Sequence, residues 1–205
     1  GILLVADEVI TAFGRLGEWF GSTHYGIRPD LISFAKGVTS GYLPLGGALV
    51  GDRVADVVIS SGGEFAHGYT YSGHPAACAV ALENIRIMQR EKIVEKVKEQ
   101  TAPYFNKRWA GLGDHPIVGE ARSLGLVGAI EIVKDKGSRE RFHKDQGAGT
   151  RCRDFCIANG LVMRAVGDTM IVSPPLIAGK EHIDELVETA WKSLDMTQKS
   201  QESGT

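Results

Sequence analysis

The sequence lacks the features that define several large classes of protein. Its apolar runs fall well short of the roughly 20 residues that a helix needs to cross a bilayer. A net charge of only -2 gives no indication of a nucleic-acid or membrane-surface partner. The phosphate-loop, dinucleotide-binding and G-x-S-x-G motifs are also missing. Their absence argues against a nucleotide-binding fold and against a serine hydrolase.

Cysteine is scarce as well, with 3 residues in a chain of 205. Three thiols make a poor disulfide framework at this length. Cys152 and Cys156 are four residues apart in a predicted helix and share one face, but too few other ligands are near for a metal site. We therefore predict buried or half-buried free thiols in a protein of the reducing cytoplasm.

An initial Met is missing too, and Gly1 already lies in a predicted core strand. We predict from this that the chain is the C-terminal part of a longer protein, that part of its site lies upstream, and that it is inactive alone. What is present is ordinary for a globular protein, with 43% hydrophobic and 23% charged residues. The length is sufficient for a substantial core.

The order of predicted elements indicates an α/β fold with two domains. Apolar runs at residues 1–6 and 31–35 predict buried strands in a large domain over residues 1–91, which ends in a helix over 76–90. Strands alternate with helices in a small α+β domain over residues 92–197. Its predicted helices cover 91–111, 146–158 and 180–195, its predicted strands cover 117–122, 126–133, 161–164 and 169–173, and a polar tail follows over 198–205.

Two residues at predicted strand ends carry the main chemical hypothesis. Asp7 ends the first apolar run and Lys36 ends the second. Ligands of open α/β sheets bind outside the carboxyl ends of the strands, so both side chains are expected in one crevice. A lysine for the Schiff base and an acid facing the pyridinium nitrogen are what pyridoxal phosphate requires. The alternatives are a lysine that reaches solvent and an aspartate that caps the next turn.

Three further segments contribute candidate residues. Val9 points to the same side as Asp7 if the chain stays extended, and would pack on the ring or in the core. Residues 67–75, HGYTYSGHP, hold glycines and hydroxyls that suit a phosphate, or else a structured loop. Arg164 lies at a predicted strand end, where it either grips a carboxylate or forms a surface ion pair.

Together these segments resemble the class III, or omega, aminotransferases. Residues 7–17, DEVITAFGRLG, resemble the family's cofactor-nitrogen motif, and residues 29–37, PDLISFAKG, resemble its Schiff-base segment. Residues 67–75 resemble the segment whose threonine reaches the phosphate in the partner subunit. The resemblance continues through 164–170 and 173–175 and covers nearly the whole chain. One departure is Ala12, which stands where a glycine is usual.

The resemblance implies a fold type I transferase, with part of its large mixed or parallel sheet and its small α+β domain. Lys36 would hold pyridoxal 5'-phosphate, Asp7 would face its ring nitrogen, and Val9 would pack on its ring. Lys36 would also move the proton. Thr70 would bind the cofactor phosphate across the interface of a homodimer or a dimer of dimers. Arg164 would pair with a substrate carboxylate.

Within the family, residues 18–22, 63–65 and 101–104 resemble pyruvate-dependent enzymes acting on omega-amino acids and diamines, putrescine included. The expected partners are therefore an amine donor and an oxo acid. Three alternatives of similar chemistry stay open: the biotin-pathway adenosylmethionine-8-amino-7-oxononanoate enzyme, an ornithine enzyme and a 4-aminobutyrate enzyme. A racemase or decarboxylase of the same fold and a non-catalytic dimerisation module are further alternatives.

Overall fold

The chain folds as two units, which are described separately. The computed structural model describes residues 1–202. The first unit is Gly1–Lys96, and the second begins at Val97. None of the helices within the described residues is both long enough and apolar enough to span a bilayer. The domain limits that the sequence predicts at residues 91 and 197 stay a prediction.

The first unit is built on a three-stranded mixed sheet. Its strands β1 (Val5–Asp7), β2 (Leu31–Phe34) and β3 (Gly47–Val50) lie in that order. β1 runs parallel to β2, and β3 runs antiparallel to β2. The helices of this unit are α1 (Gly21–His24), α2 (Asp52–Ser60), α3 (Pro75–Arg90) and α4 (Ile93–Lys96). Pro75 opens α3, where its missing N–H costs no hydrogen bond.

The prediction that residues 1–6 form a buried strand is wrong in two respects. Only Val5–Asp7 are in a strand, and the apolar residues before them are exposed, with Ile2 at 96% and Val5 at 62% of full exposure. The physical reason is that little of the described chain packs over these side chains, although β1 pairs with β2 through its backbone. Apolar character alone therefore indicated the strand but not its burial.

The second unit packs helices against an antiparallel sheet. The strands β4 (Val118–Leu124), β5 (Val127–Ile132), β6 (Arg164–Val166) and β7 (Thr169–Val172) lie in the order β4-β5-β7-β6. The helices are α5 (Ala102–Ala110), α6 (Ala148–Ala158) and α7 (Lys180–Glu202). Alternate residues of β5 are buried, as expected for a sheet with one face on the core. This arrangement is the α+β unit that the element order predicted.

Several boundaries in this part of the chain differ from the predicted ones. The single helix expected over 91–111 is divided, because Val97–Thr101 form a π-helical turn between α4 and α5. The strand expected over 161–164 instead begins at Arg164. The helix expected to stop at 195 continues through the predicted tail to Glu202, because Thr197 and Gln201 are buried and hold its last turns. Residues 203–205 of that tail lie outside the described residues.

Candidate active site

The pairing of β1 with β2 brings the two main candidate residues to one edge of the sheet. Asp7, the last residue of β1, pairs in register with Ser33 of β2. After β2 ends at Phe34, Lys36 begins a 3-10 turn over Lys36–Val38, called here the Lys36 turn. Because β1 and β2 are parallel, Asp7 at the end of β1 and Lys36 just after β2 lie at the carboxyl ends of neighbouring strands, where ligands of such sheets bind.

The carboxylate of Asp7 is oriented by two donors. Its Oδ1 accepts the backbone N–H of Val9 at 3.1 Å and the hydroxyl of Ser33 at 3.4 Å. No partner of Oδ2 is found among residues 1–202, and the residue is exposed. Asp7 therefore caps the turn after β1, as one alternative held, and still presents a carboxylate oxygen outward from the strand end.

Val9 does not lie in an extended chain, so the premise of its predicted direction is wrong. The bond from its N–H to Asp7 closes a turn directly after β1, and residues 9–16 continue as turns. A side chain in such a turn does not follow the alternation of a strand. Val9 is half-buried here, and its contact with a cofactor ring stays a prediction.

Lys36 has an unusual backbone conformation. Its φ of 45° lies in the left-handed region, where a non-glycine residue costs roughly 1–2 kcal/mol. Its carbonyl accepts the N–H of Thr39 at 3.2 Å, and its side chain is exposed. Strained conformations of this kind concentrate at functional sites, where the surrounding structure holds them in place. The conformation therefore supports a functional role for the lysine.

Glu8 is a site residue that the sequence reasoning missed. Only 2% of it is exposed, and its carboxylate accepts the N–H groups of Gly21 at 2.5 Å and Ser22 at 2.7 Å. The hydroxyl of Thr11 donates to it as well, at 2.9 Å. Glu8 thus ties the segment after β1 to the start of α1. The adjacent acids in the sequence were visible, but the donors 13 and 14 residues away were not.

The same contacts fix the charge state of Glu8. Burial would raise the pKa of its carboxyl, but hydrogen bonds from Ser22, Gly21 and Thr11 outweigh burial and lower the pKa below the ordinary 4.5. A carboxyl whose folded pKa is lowered adds stability above its unfolded pKa and loses that contribution as the pH falls through the folded value. Glu8 is therefore a buried, ionised residue next to Asp7 that holds the start of α1 by hydrogen bonds.

We expect Glu8→Gln to lower the free energy of unfolding by about 2 kcal/mol at neutral pH, since hydrogen bonds to a charged acceptor are lost. Urea titrations at a series of pH values measure the difference from wild type. The difference should shrink as the pH falls below about 4.5, because wild type then loses the same contribution. Glu64→Gln, at an exposed position, is the control. Equal stability of wild type and the Glu8 variant near pH 7 contradicts the prediction.

Thr70 lies in a loop over residues 61–74, all of which are exposed. The loop is organised locally, since Tyr69 accepts the N–H of Ser72 through its carbonyl at 2.9 Å and donates its own N–H to the Ser72 hydroxyl at 3.0 Å. Tyr69 and Tyr71 are 79% and 80% exposed, which is high for aromatic residues. Within the described residues the loop presents Thr70 to solvent.

Arg164 belongs to the second unit, so no geometry relates it to Asp7 and Lys36. It is the first residue of β6, pairs in register with Ile171 and is exposed. β6 is an outer strand of its sheet. Its predicted role toward a substrate carboxylate stays a prediction.

Cys152 and Cys156 occupy one face of α6, as the spacing predicted, and only 1% and 0% of them are exposed. A hydrogen bond from Cys156 together with burial raises the pKa of the Cys152 thiol. The thiol of Cys156 lies 3.9 Å from the sulfur of Met163. The prediction of buried, unpaired thiols is confirmed for both residues.

The residues at the end of the sheet fit the reactive end of pyridoxal phosphate. One primary amine and one oriented carboxylate follow neighbouring parallel strands. An amine bonds to the aldehyde, and a carboxylate stabilises the protonated ring nitrogen. The first unit thus offers both groups that the ring requires, while its candidate phosphate ligand lies in the exposed loop.

Comparison with known proteins agrees with this chemistry. The family model of class-III aminotransferases matches residues 1–194. A putrescine–pyruvate aminotransferase of Pseudomonas aeruginosa is 62% identical over 96% of this chain and 42% of its own length. The gamma aminobutyrate transaminase 1 of Solanum lycopersicum is 45% identical over 97% of this chain and 39% of its own length. The chain therefore belongs to the class-III aminotransferase family.

Solved structures confirm the predicted fold class. An (S)-enantioselective omega-transaminase from Thermomicrobium roseum superposes with a TM-score of 0.92 at 41% identity, over 96% of this chain and 44% of that one. A pyridoxal-phosphate-bound aminotransferase mutant from Vibrio fluvialis gives 0.91 at 33% identity, over 97% and 44%. The fold is that of fold type I transferases. The chain spans less than half the length of these relatives.

Proposed function

We propose that this chain contributes to a pyridoxal-phosphate-dependent transaminase that moves an amino group from putrescine or an omega-amino acid to an oxo acid, with pyruvate as the acceptor. The observation that carries the proposal is the placement of Asp7 and Lys36 at the carboxyl ends of neighbouring parallel strands. The substrate class is supported by 62% identity to a putrescine–pyruvate aminotransferase. Because the chain spans 42% of that relative, the activity is proposed for a parent chain of full family length.

Each candidate residue has a defined task in this proposal. The cofactor, when bound, supplies an electron sink that stabilises negative charge on the donor carbon. Nζ of Lys36 would hold the cofactor, then take the proton from the donor carbon and return it. The Asp7 carboxylate would keep the ring nitrogen protonated, and Val9 would pack on the ring. Arg164 would bind a substrate carboxylate through two parallel hydrogen bonds.

We propose further that the protein acts as a homodimer or a dimer of dimers. The support is the exposed loop over residues 61–74, whose Phe65, Tyr69 and Tyr71 are 69%, 79% and 80% exposed. Exposed clusters of large apolar side chains are typical of surfaces that a partner covers. Thr70 would reach the cofactor phosphate across that interface. The free thiols support a cytoplasmic location.

A 4-aminobutyrate or diaminobutyrate donor is the second candidate. It is supported by a gamma-aminobutyrate transaminase at 45% identity and a diaminobutyrate–2-oxoglutarate transaminase of Halomonas elongata at 43%. These enzymes share the cofactor chemistry, so Lys36 and Asp7 do not separate them from the first candidate. A panel that combines putrescine, 4-aminobutyrate, diaminobutyrate and S-adenosylmethionine as donors with pyruvate and 2-oxoglutarate as acceptors separates the candidates.

Borohydride trapping tests the proposed function. If Lys36 holds the cofactor as proposed, borohydride would convert that link into a stable secondary amine between Nζ and the cofactor. We expect peptide mapping of the reduced parent protein to find the added phosphopyridoxyl mass on the peptide with Lys36. The other lysines of the chain serve as internal controls. Label spread evenly over the lysines, or absent from Lys36, contradicts the proposal.

A further inference from the structure

A side chain of α3 holds the Lys36 turn. The amide Nδ2 of Asn84 donates to the carbonyl of Gly37 at 3.0 Å and to the carbonyl of Val38 at 3.1 Å. The other end of the amide, Oδ1, accepts the hydroxyl of Ser40 at 2.8 Å. Asn84 therefore contacts three of the four residues that follow Lys36, although it lies 46 and 47 residues further along the chain from the two carbonyls.

The Lys36 turn needs such support because its backbone is strained. Lys36, which precedes the contacted segment, and Ser40, which ends it, have φ values of 45° and 50°. Between them, Gly37 lies so close to Phe13 that an added Cβ would be 2.9 Å from the Phe13 Cβ. Non-glycine residues with positive φ persist only where their surroundings hold them. The two bonds from Asn84 act directly on the carbonyls between these strained positions.

The anchor itself is rigid. α3 is 16 residues long, and its Ala77, Ala81 and Met88 are buried. Nδ2 of Asn84 also lies 3.7 Å from the sulfur of Met88, one helical turn further on. The amide of Asn84 therefore ties the Gly37 and Val38 carbonyls to a packed helix.

From this geometry we propose that Asn84 is a positioning residue for Lys36. By fixing the Gly37 and Val38 carbonyls, it holds the left-handed backbone that aims Nζ at its reaction partner. The inference rests on the proposed function, because Lys36 needs aiming only where it reacts. Asn84 touches neither substrate nor cofactor in this role. An alternative role is purely structural, in which Asn84 ties α3 to the sheet without affecting reactivity.

Three variants of the parent enzyme separate these roles. Asn84→Asp keeps the shape of the side chain but replaces the donor by acceptors that face two carbonyls. Asn84→Ala removes the donor completely. It provides a second test of the same hydrogen bonds if the aspartate variant does not fold. Ser40→Ala is the matched control, since it removes the third contact and leaves both donor bonds in place. For each we measure kcat, KM, melting temperature and the rate of borohydride-trapped labelling at Lys36.

We expect either Asn84 variant to lower kcat and the labelling rate at Lys36 by about 10- to 100-fold, the effect of misplacing a reacting group by about 1 Å. KM should change by less than about threefold, because no substrate contact is lost. Ser40→Ala should keep kcat, KM and the labelling rate within about twofold of wild type. A purely structural role predicts instead a lower melting temperature with unchanged kcat and unchanged labelling in the folded fraction.

The outcomes also separate this inference from the proposed function. Normal trapping at Lys36 in wild type, with folded Asn84 variants equal to it in kcat and labelling, overturns the positioning role alone. An equal loss in Ser40→Ala and the Asn84 variants overturns it too, since the donor bonds would then not be the cause. Absence of trapping in wild type overturns the proposed function and the positioning role together.

Discussion

Replacing Lys36 by alanine in the parent enzyme is expected to reduce turnover by about a thousand-fold or more. Two contributions are lost at once in this variant. Under the proposed function, the variant would lack the amine that holds the cofactor, and it would also lack the base that moves the proton of the donor carbon. General acid–base catalysis alone contributes about 10²- to 10⁴-fold. Stability should change little, because Lys36 is exposed and its replacement by alanine removes no side chain from the core.

Steady-state kinetics with putrescine and pyruvate measure this loss. Lys36→Arg keeps the positive charge but offers no amine for a C=N bond, so it should be as inactive as the alanine variant. Lys96→Ala, at an exposed lysine of α4 in the same unit, should keep the activity of wild type. If the alanine variant retains more than about a tenth of wild-type turnover, Lys36 does not have the proposed role.

The placement of these two candidates was predictable from local sequence. Short apolar runs ending in Asp7 and before Lys36 indicated strands, and the two strands pair as parallel neighbours. The apolar pattern that indicates a strand is visible in the local sequence. The rule that ligands bind at the carboxyl ends of the strands then identifies which end of the sheet holds the site. The family motifs added the identity of the chemistry, which strand patterns alone do not carry.

The geometry around the candidates was not predictable, because it depends on contacts between distant segments. The donors to Glu8 come from Gly21 and Ser22, and the amide that holds the Lys36 turn comes from α3. Such bonds have no period in the sequence, so a reading of hydrophobic patterns misses them. The cap that Asp7 places on the turn at Val9 is the exception, because it joins residues two positions apart and was one of the alternatives that the sequence offered.

The second unit offers the largest expected effect on stability, at Trp109 of α5. None of this residue is exposed, and its ring stacks on Phe105 with centroids 5.4 Å apart. The ring lies directly on Gly128 of β5, where an added Cβ would be 2.7 Å from Trp109 Cε2. Its Nε1 donates to the carbonyl of Ala129 at 3.2 Å. Trp109 therefore joins α5 to the centre of the sheet through both packing and a hydrogen bond.

We expect Trp109→Ala to lower the free energy of unfolding of this unit by about 3–5 kcal/mol. The cost has two parts, which are the large cavity over Gly128 and the loss of the indole donor to Ala129. Urea titration followed by far-ultraviolet circular dichroism measures it without relying on tryptophan fluorescence. Lys107→Ala, exposed on the same helix, should stay within about 0.5 kcal/mol of wild type. A loss below about 1 kcal/mol at Trp109 would mean that the helix and sheet repack around the cavity, and that the close fit between indole and glycine is not what holds them together.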